Sequence, residues 1–273
     1  MSSPAPSGRR ARWILPVVIV AGLVALLLVG LVGWMFFRPV LPGDYGKVHG
    51  ESRLLLDRHN NEVMFQVVQL AQTDTADPDA NRARVESMMT VVDEYGAAVQ
   101  GLTGERAFDD PEVAEAYRPV TEAVSSYRDF LADWGDSIPP VKHMQQVCHE
   151  FDREHSYMDS SATGEAFDTA AANCLAAVEE ARDVEVQDGI VQARADYLEQ
   201  RRAAWQLNGE ARAGGRLDRS KNQQAIRADH EATNAWSAAD QQAAADVVTA
   251  LDTGSGEVVS AWEEFGRMLE ARS

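Results

Sequence analysis

Three histidines recur along one predicted helix, and imidazole is the commonest protein ligand for transition metals. They are His143, His149 and His155, six residues apart. Six positions turn a helix by about 240°, so the three rings point in different directions and cannot share one ion. His155 alone falls on the apolar stripe of its helix, which indicates a core histidine. The pattern therefore predicts no metal site.

Two further patterns match metal motifs only in part. Asp152 and His155 have the spacing of the Glu-x-x-His motif of di-iron bundles, which need that motif twice and two more glutamates. The sequence has no second copy. Asp74, Asp77 and Asp79 alternate as in a calcium loop, but the glycine of that loop is missing and helix capping explains them better.

Nucleophile, phosphate-binding and redox motifs are also absent from the sequence. It contains no Gly-x-Ser-x-Gly, no Ser-x-x-Lys, no phosphate loop and no Cys-x-x-Cys. We therefore expect a protein that is not an enzyme and holds no cofactor.

The two cysteines carry the one covalent link that the sequence predicts. Cys148 and Cys174 lie on the apolar stripes of two helices, at equal distances from a turn near Ser161. An antiparallel hairpin sets such positions side by side, with Cα atoms near the ~5.5 Å that a disulfide needs. An exported compartment would keep the pair oxidised. In a cytosolic body the same two residues would be core thiols.

A long uncharged segment determines where the chain is expected to lie. Residues 13–37 carry no charge and are flanked by Arg12 and Arg38. As a helix they reach roughly 37 Å, enough to cross a ~30 Å hydrocarbon layer. Signal peptides have shorter apolar cores and a small-x-small cleavage site, which this segment lacks. Trp13 and Trp34 fit an aromatic belt at the two interfaces. The segment is predicted to be a single transmembrane signal-anchor.

Charge predicts the orientation of this anchor and excludes some partners. Residues 1–12 contain Arg9, Arg10 and Arg12 and no acid, so they are predicted to be a cytosolic tail, with the body outside the membrane. The chain has 25 basic and 43 acidic residues, and the three tail arginines leave 22 basic residues for the body. That excess of acid repels nucleic acid and anionic headgroups. It indicates a solvated surface or, alternatively, a basic partner or loosely held divalent cations.

The body has apolar residues spaced by three and four, which predicts helices throughout. Residues 38–47, with two prolines and two glycines, are expected to form an extended stalk. Residues 48–213 are expected to form a helical bundle, and residues 214–273 to form C-terminal helices packed on it.

Start signals in the body are specific. Asp77 with Pro78 and Asp110 with Pro111 are predicted to cap and begin two helices. The second of these carries a 4-3 spacing typical of a coiled-coil seam. The seam consists of Val113, Tyr117, Val120, Val124, Tyr127, Leu131 and Trp134.

Stop signals are expected at three places: Ser137–Pro140, Gly214–Gly215 and residues 252–256. Whether residues 163–213 form one helix or two stays open. The weakly apolar residues 216–231 are the least certain to be ordered, and Ser220 with Gln223 could form a capping box there.

The sequence thus predicts an all-α protein with a single N-terminal transmembrane helix and an elongated antiparallel bundle with coiled-coil-like packing. In architecture this resembles bacterial four-helix sensory domains, which sit between two membrane helices. We expect a membrane-anchored extracytoplasmic interaction or scaffold module, an accessory subunit of an envelope or membrane complex with protein partners. The alternative is a ligand-binding or sensory subunit acting through a membrane partner. A polar cavity with converging charges would favour the ligand, and a continuous exposed apolar patch the partner.

Overall fold

The computed structural model describes residues 39–72, 77–156, 158–159 and 161–273. The predicted tail 1–12 and anchor 13–37 lie outside these residues, as does Asp74. In the described part, no helix is both long and apolar enough to cross a membrane.

The described chain is helical, with short turns between helices and no strand in these residues. The helices are α1 (Pro42–Arg58), α2 (Met64–Ala71), α3 (Pro78–Leu102), α4 (Pro111–Glu154), α5 (Gly164–Ala170), α6 (Ala172–Glu180), α7 (Asp188–Arg212) and α8 (Arg219–Glu270). A π-helical turn, His59–Val63, joins α1 to α2, and a 3-10 turn, Arg106–Asp109, precedes α4. The all-α prediction is confirmed.

Two apolar cores are built along two long helices. The first core contains α1, α2, α3, the part of α4 up to Ile138 and the part of α8 from Leu251. The second core contains α4 from Val141, all of α5 to α7, and the N-terminal part of α8. With 44 and 52 residues, α4 and α8 extend about 66 and 78 Å, long enough to pass through both cores.

The predicted caps, and the burial of the predicted seam residues, are confirmed. The Asp77 carboxylate accepts the backbone N–H of Asp79 at 3.0 Å, and that of Asp110 accepts the N–H of Glu112 at 2.9 Å. Every residue of the predicted α4 seam is buried. These side chains form much of the first core, so the 4-3 spacing correctly identifies the packed face of α4.

The break predicted at Ser137–Pro140 is wrong, because α4 continues through it. Proline removes an N–H and crowds the preceding turn, which normally ends or kinks a helix. The Ser137 hydroxyl donates to the Trp134 carbonyl at 2.6 Å and accepts from Gln187 at 2.8 Å, which ties this turn of α4 to the residue before α7. The segment is buried between the two cores, and packing stabilises a helix that local sequence disfavours.

The break predicted at residues 252–256 is also wrong, since α8 is helical from Arg219 to Glu270. A Cβ at Gly254 would lie 2.5 Å from Cδ2 of Tyr127, so glycine here allows a close approach of α8 to α4. The neighbouring Ser255 hydroxyl lies 3.0 Å from Nε2 of His59. The glycine serves helix packing and does not terminate the helix.

Helix α1 begins at Pro42, inside the segment predicted to be an extended stalk. Proline is favourable at the first helical position, and Asp44 accepts the backbone N–H of Leu41 at 2.9 Å. The first turns of α1 contact the start of α4 and the 3-10 turn before it. Tyr45 donates to Asp110 at 3.0 Å, and Lys47 pairs with Glu105, the residue directly before that turn. Leu41, directly before this helix, has an extended backbone.

The region left open, 163–213, contains three helices, with breaks at Ala171 and at residues 181–187. The break at Gly214–Gly215 is confirmed, and Gly215 has φ +71°, which favours glycine. Asp218, and not the predicted Ser220, caps α8 by accepting the N–H of Ser220 at 3.0 Å. Residues 214–273 form one helix after a short turn, and this helix contributes to both cores.

Candidate ligand-binding cleft

The structure brings the two predicted cysteines together. Cys148 of α4 and Cys174 of α6 are both buried, with sulfurs 2.01 Å apart and Cα atoms 4.7 Å apart. This is disulfide-bonding distance, and it confirms the juxtaposition predicted from their equal spacing about the turn. The pair lies in the second core, below the charged network described next.

The three histidines that suggested a metal do not converge. His143 lies 4.0 Å from Glu180, His149 is exposed, and His155 packs its ring 5.2 Å from that of Phe151. Across the described residues, no group of three or more potential ligands is arranged to hold a metal ion.

The buried core histidine is His59, which lies in the π-helical turn of the first core. It is fully buried, between the rings of Tyr95 and Tyr127 at 5.6 and 5.8 Å. Burial lowers its pKa to about 4, so the ring is neutral at physiological pH. The sequence singled out His155 for this role.

Two buried arginines of α7 organise the second core. Arg194 and Arg201 are 3% and 1% exposed and lie on the same face of the helix. Asp152 of α4 forms a salt bridge with each of them: its carboxylate is 2.8 Å from Arg194 and 3.4 Å from Arg201. The Tyr197 hydroxyl also donates to Asp152 at 2.9 Å. With Asp229 of α8, these residues form what we call the arginine network.

Arg201 closes the network on the side of α8. Its Nε donates to Asp229 at 2.9 Å and its Nη1 to the Tyr197 hydroxyl at 3.0 Å, while Nη2 donates to the His155 carbonyl. Burial raises the pKa of Tyr197 to about 12, so the phenol keeps its proton and remains a donor. Every donor nitrogen of Arg201 therefore has an acceptor.

Arg194 is held less completely. Its guanidinium carbon lies 4.7 Å from the ring centre of Tyr197 and 4.9 Å from that of Trp236, a cation–π arrangement. Nη2 donates to the Cys148 carbonyl at 2.9 Å. Its Nε is buried and has no hydrogen-bond partner in the described part of the chain. An unmet buried donor is costly and is uncommon in native proteins.

Arg194 forms the floor of a cleft of about 430 Å³, which we call the Arg194 cleft. Helix α4 forms one wall and α8 the other. The lining includes Lys142, Met144, His149, Asp152, Trp236 and Asp240. Charged groups from three helices thus converge on one concave surface of the second core.

Two charges in the cleft have no protein partner among the described residues. Neither the Asp240 carboxylate nor the Lys142 ammonium forms a hydrogen bond or an ion pair there, although both are half-buried. Burial raises the pKa of Asp240, and the positive charges of Arg194 and Lys142 oppose this only in part. A charged ligand could therefore form new ion pairs or hydrogen bonds with both groups without breaking an existing pair.

The sequence carried a signal for the network. The seven-residue repeat Val184, Val191, Leu198, Trp205 marks the apolar positions of the helix around α7. Three residues after each of these stand Gln187, Arg194, Arg201 and Asn208. Those are the second core positions of a heptad, all polar here, and Arg194, Arg201 and Asn208 are buried. The pattern could have identified the arginines, but not their acidic partners on α4 and α8.

No protein-family model, no curated protein and no solved structure matches this chain. The functional proposal below is therefore based on the geometry of the cleft.

Proposed function

We propose that this chain is a membrane-anchored, extracytoplasmic, non-enzymatic module that binds a small polar molecule in the Arg194 cleft. The observation that carries the proposal is the convergence of Arg194, Lys142 and Asp240 on one cleft, the last two without protein partners. This is the feature expected of the ligand-binding alternative, and it favours that alternative over a scaffold.

The groups in the cleft are suited to binding and not to catalysis. Asp152 is the carboxylate nearest the floor, and three donors already occupy it, so it is a poor general base. Arg194 is oriented by Asp152, by the Cys148 carbonyl and by two aromatic rings. A rigid, pre-oriented cation with unpaired charges at the rim is an arrangement that holds a ligand in one orientation.

The two long helices connect the cleft with the end of the body where α1 begins. Asp240 lies 30 positions before Glu270 on α8, about 45 Å along the helix. At that end, Arg272 pairs with Glu112 and lies 3.8 Å from Asp110, to which Tyr45 of α1 also binds. A shift of α8 on ligand binding would reach the first turns of α1, which supports a sensory role.

The anchor and its orientation belong to the proposal and rest on the sequence. A periplasmic alkaline phosphatase fused after Ser273 should be active, because the basic tail 1–12 favours a cytosolic N-terminus. Activity only from a cytosolic reporter at the same position would reverse the orientation and place Cys148 and Cys174 in a reducing compartment.

Ligand binding is tested by thermal unfolding of the full-length chain in mild detergent. The probes are glycine, leucine, isopentylamine, 4-methylpentanoate, inorganic phosphate and glucose. A probe at 100 times its Kd stabilises the folded state by about 2.7 kcal/mol, so Tm rises with the logarithm of probe concentration. The rise should disappear in Trp236→Ala and persist in Val248→Ala, an exposed site on the same helix. No cleft-dependent shift with any probe would refute the proposal.

A second candidate, the interaction module, is favoured by apolar side chains exposed on α1 and α2. Leu54 and Phe65 are 68% and 56% exposed, and Val68 is 45% exposed. They lie on the first two helices after the predicted anchor, and an extracytoplasmic part of another membrane protein would dock on this apolar face. Crosslinking in membranes should be lost in Leu54→Ser/Phe65→Ser and retained in Val248→Ser; equal crosslinking by both would exclude this face.

A further inference from the structure

We propose that the ligand of the Arg194 cleft is a small zwitterion of the α-amino-acid type, with its ammonium on Asp240 and its carboxylate on Lys142. The inference rests on the proposed binding function and names the chemical class that the cleft would take. It follows from the positions of the two unpaired charges, from their surroundings and from the charge balance of the second core.

Lys142 and Asp240 face the same cleft from opposite walls, Lys142 from α4 and Asp240 from α8. They sense each other's charge, yet within the described chain they do not approach to the 4.0 Å of an ion pair. Two opposite charges held apart across a concave surface leave room for a molecule that carries the complementary pair. Such a ligand would replace lost hydration at both groups with charge-assisted hydrogen bonds.

Charge balance disfavours a simple ion. The three cations of the region, Arg194, Arg201 and Lys142, are matched by the carboxylates of Asp152, Asp229 and Asp240. A lone amine would leave Lys142 unpaired beside an added positive charge. A lone carboxylate would leave Asp240 unpaired beside an added negative charge. A zwitterion leaves the net charge of the cleft unchanged and pairs both groups.

The ring of Trp236 sets the place for the ligand's apolar part. Trp236 and Asp240 are four residues apart and therefore lie on one face of α8. The ring is half-buried and lies against the Arg194 guanidinium, so it is fixed in orientation. An aliphatic side chain carried next to the ammonium would pack on the part of this ring that the cleft exposes.

Three of the probes separate the two charges while keeping the branched apolar chain of leucine. Leucine carries both, isopentylamine lacks the carboxylate, and 4-methylpentanoate lacks the ammonium. Binding is measured by isothermal titration calorimetry on the full-length chain in detergent. We expect each half-molecule to bind at least about tenfold more weakly than leucine, because it loses one charge-assisted contact.

Variants assign each charge to its residue. Asp240→Asn should bind leucine about tenfold more weakly but bind 4-methylpentanoate at least as tightly as before, because the like charge of Asp240 is gone. Lys142→Gln should weaken leucine equally and bind isopentylamine at least as tightly as before. The control variants on α8 lie outside the cleft: Glu231→Gln changes an exposed charge, and Lys221→Gln removes a half-buried lysine that lies 3.5 Å from Glu210. Asp240→Asn removes an unpaired half-buried charge, so the variant should fold with an undiminished Tm.

The outcomes separate this inference from the proposed function. Isopentylamine or 4-methylpentanoate binding as tightly as leucine, with dependence on Trp236, would overturn the zwitterion and keep a ligand cleft. Phosphate or glucose as the better cleft ligand would have the same meaning. If no probe binds in a Trp236-dependent manner, both fail together. Leucine binding that is insensitive to both Asp240→Asn and Lys142→Gln would also overturn the assignment.

Discussion

Asp152→Ala is the variant that most directly tests the arginine network. The Asp152 carboxylate is the shared acceptor for Arg194, Arg201 and Tyr197. Arg201 would keep Asp229 at 2.9 Å after its removal. Arg194 would keep the Cys148 carbonyl, a contact of 3.7 Å with Cys174 Sγ and two aromatic rings, none of which is anionic. The substitution therefore leaves one guanidinium buried without an anionic partner.

The expected loss of stability is large for a single polar side chain. Removing one partner of a buried pair typically costs about 3–5 kcal/mol, because the remaining charge is neither hydrated nor compensated. The arginine side chains here are 3% and 2% exposed, so water cannot replace the carboxylate without opening the core. We expect a decrease of about 3 kcal/mol or more in the free energy of unfolding.

Asp168→Ala is the matched control. Asp168 also lies in a helix and contacts Arg202 through two bonds of 2.5 and 2.7 Å, closer than any contact of Asp152. The side chains of Asp168 and Arg202 are both nearly half exposed, and surface ion pairs of this kind contribute about 0–1 kcal/mol to stability. The gain in helix propensity from Asp to Ala is common to both variants. Burial, and not distance, should therefore decide the difference.

The assay is urea unfolding of the full-length protein in mild detergent, followed by circular dichroism at 222 nm. A third variant, Asp152→Ala/Arg194→Met, removes the stranded charge and should recover a substantial part of the loss. Equal losses for Asp152→Ala and Asp168→Ala would refute the reasoning. So would a double variant less stable than Asp152→Ala, because the stranded Arg194 charge would then not be the cause.

Three further predictions concern the core, pH and the cysteines. Val124→Asp should lower stability by about 3 kcal/mol or more, since it buries an unpaired carboxylate, while exposed Glu122→Ala changes Tm little; similar melting of both would place the wrong face inward. Burial lowers the pKa of His59 from 6.5 to about 4, so as pH falls the unfolded chain takes up the proton before the folded chain does. The contribution of neutral His59 to stability is therefore complete above pH 6.5 and decreases by about 3 kcal/mol as pH falls to 4. The His59→Gln variant should lack this pH-dependent part of the loss. Maleimide treatment of the denatured, unreduced chain should add no mass at Cys148 and Cys174, and two additions after reduction; a link across about 25 residues is worth roughly 3.5 kcal/mol on the chain-entropy model.

Local chemistry in the sequence was enough to predict the helix starts and the packed face of α4. Asp77 and Asp110 each precede a proline, and both cap their helices with a side-chain acceptor. The 4-3 spacing through Tyr117 and Trp134 identified buried positions because helical geometry alone places them on one face. The cysteine juxtaposition needed only the assumption of a hairpin around Ser161.

The predicted stops failed where tertiary contacts override local preference. Gly135 lies just before the Pro139–Pro140 pair, and a Cβ there would lie 2.7 Å from Cγ1 of Val85. Gly254 has the same relation to Tyr127. In both places a sequence that reads as a break lets a neighbouring helix approach closely. A single sequence does not contain the partner helix, so the two meanings of glycine are not distinguishable from it.

The cleft could not be predicted from the sequence, because the residues that form it are far apart in the chain. Polar residues at alternate core positions of the heptad point to Arg194 and Arg201, but nothing local connects them with Asp152 or Asp229. The pairing arises from the packing of α4, α7 and α8. Asp240 and Lys142 are ordinary surface residues in sequence, and only the fold makes them half-buried neighbours.

The distribution of buried charge between the two cores argues that the second core has a task besides stability. All three of the charged residues buried in the described chain, Arg194, Arg201 and Asp229, lie in the second core. The first core is filled by aromatic and aliphatic side chains, and the same helix α8 supplies Trp262 and Leu269 there. Well-packed apolar residues are often as stabilising as a buried ion pair or more so, so stability alone does not account for the charges. They are accounted for by the ligand-binding role that we propose, in which the network fixes Arg194 beneath an open cleft.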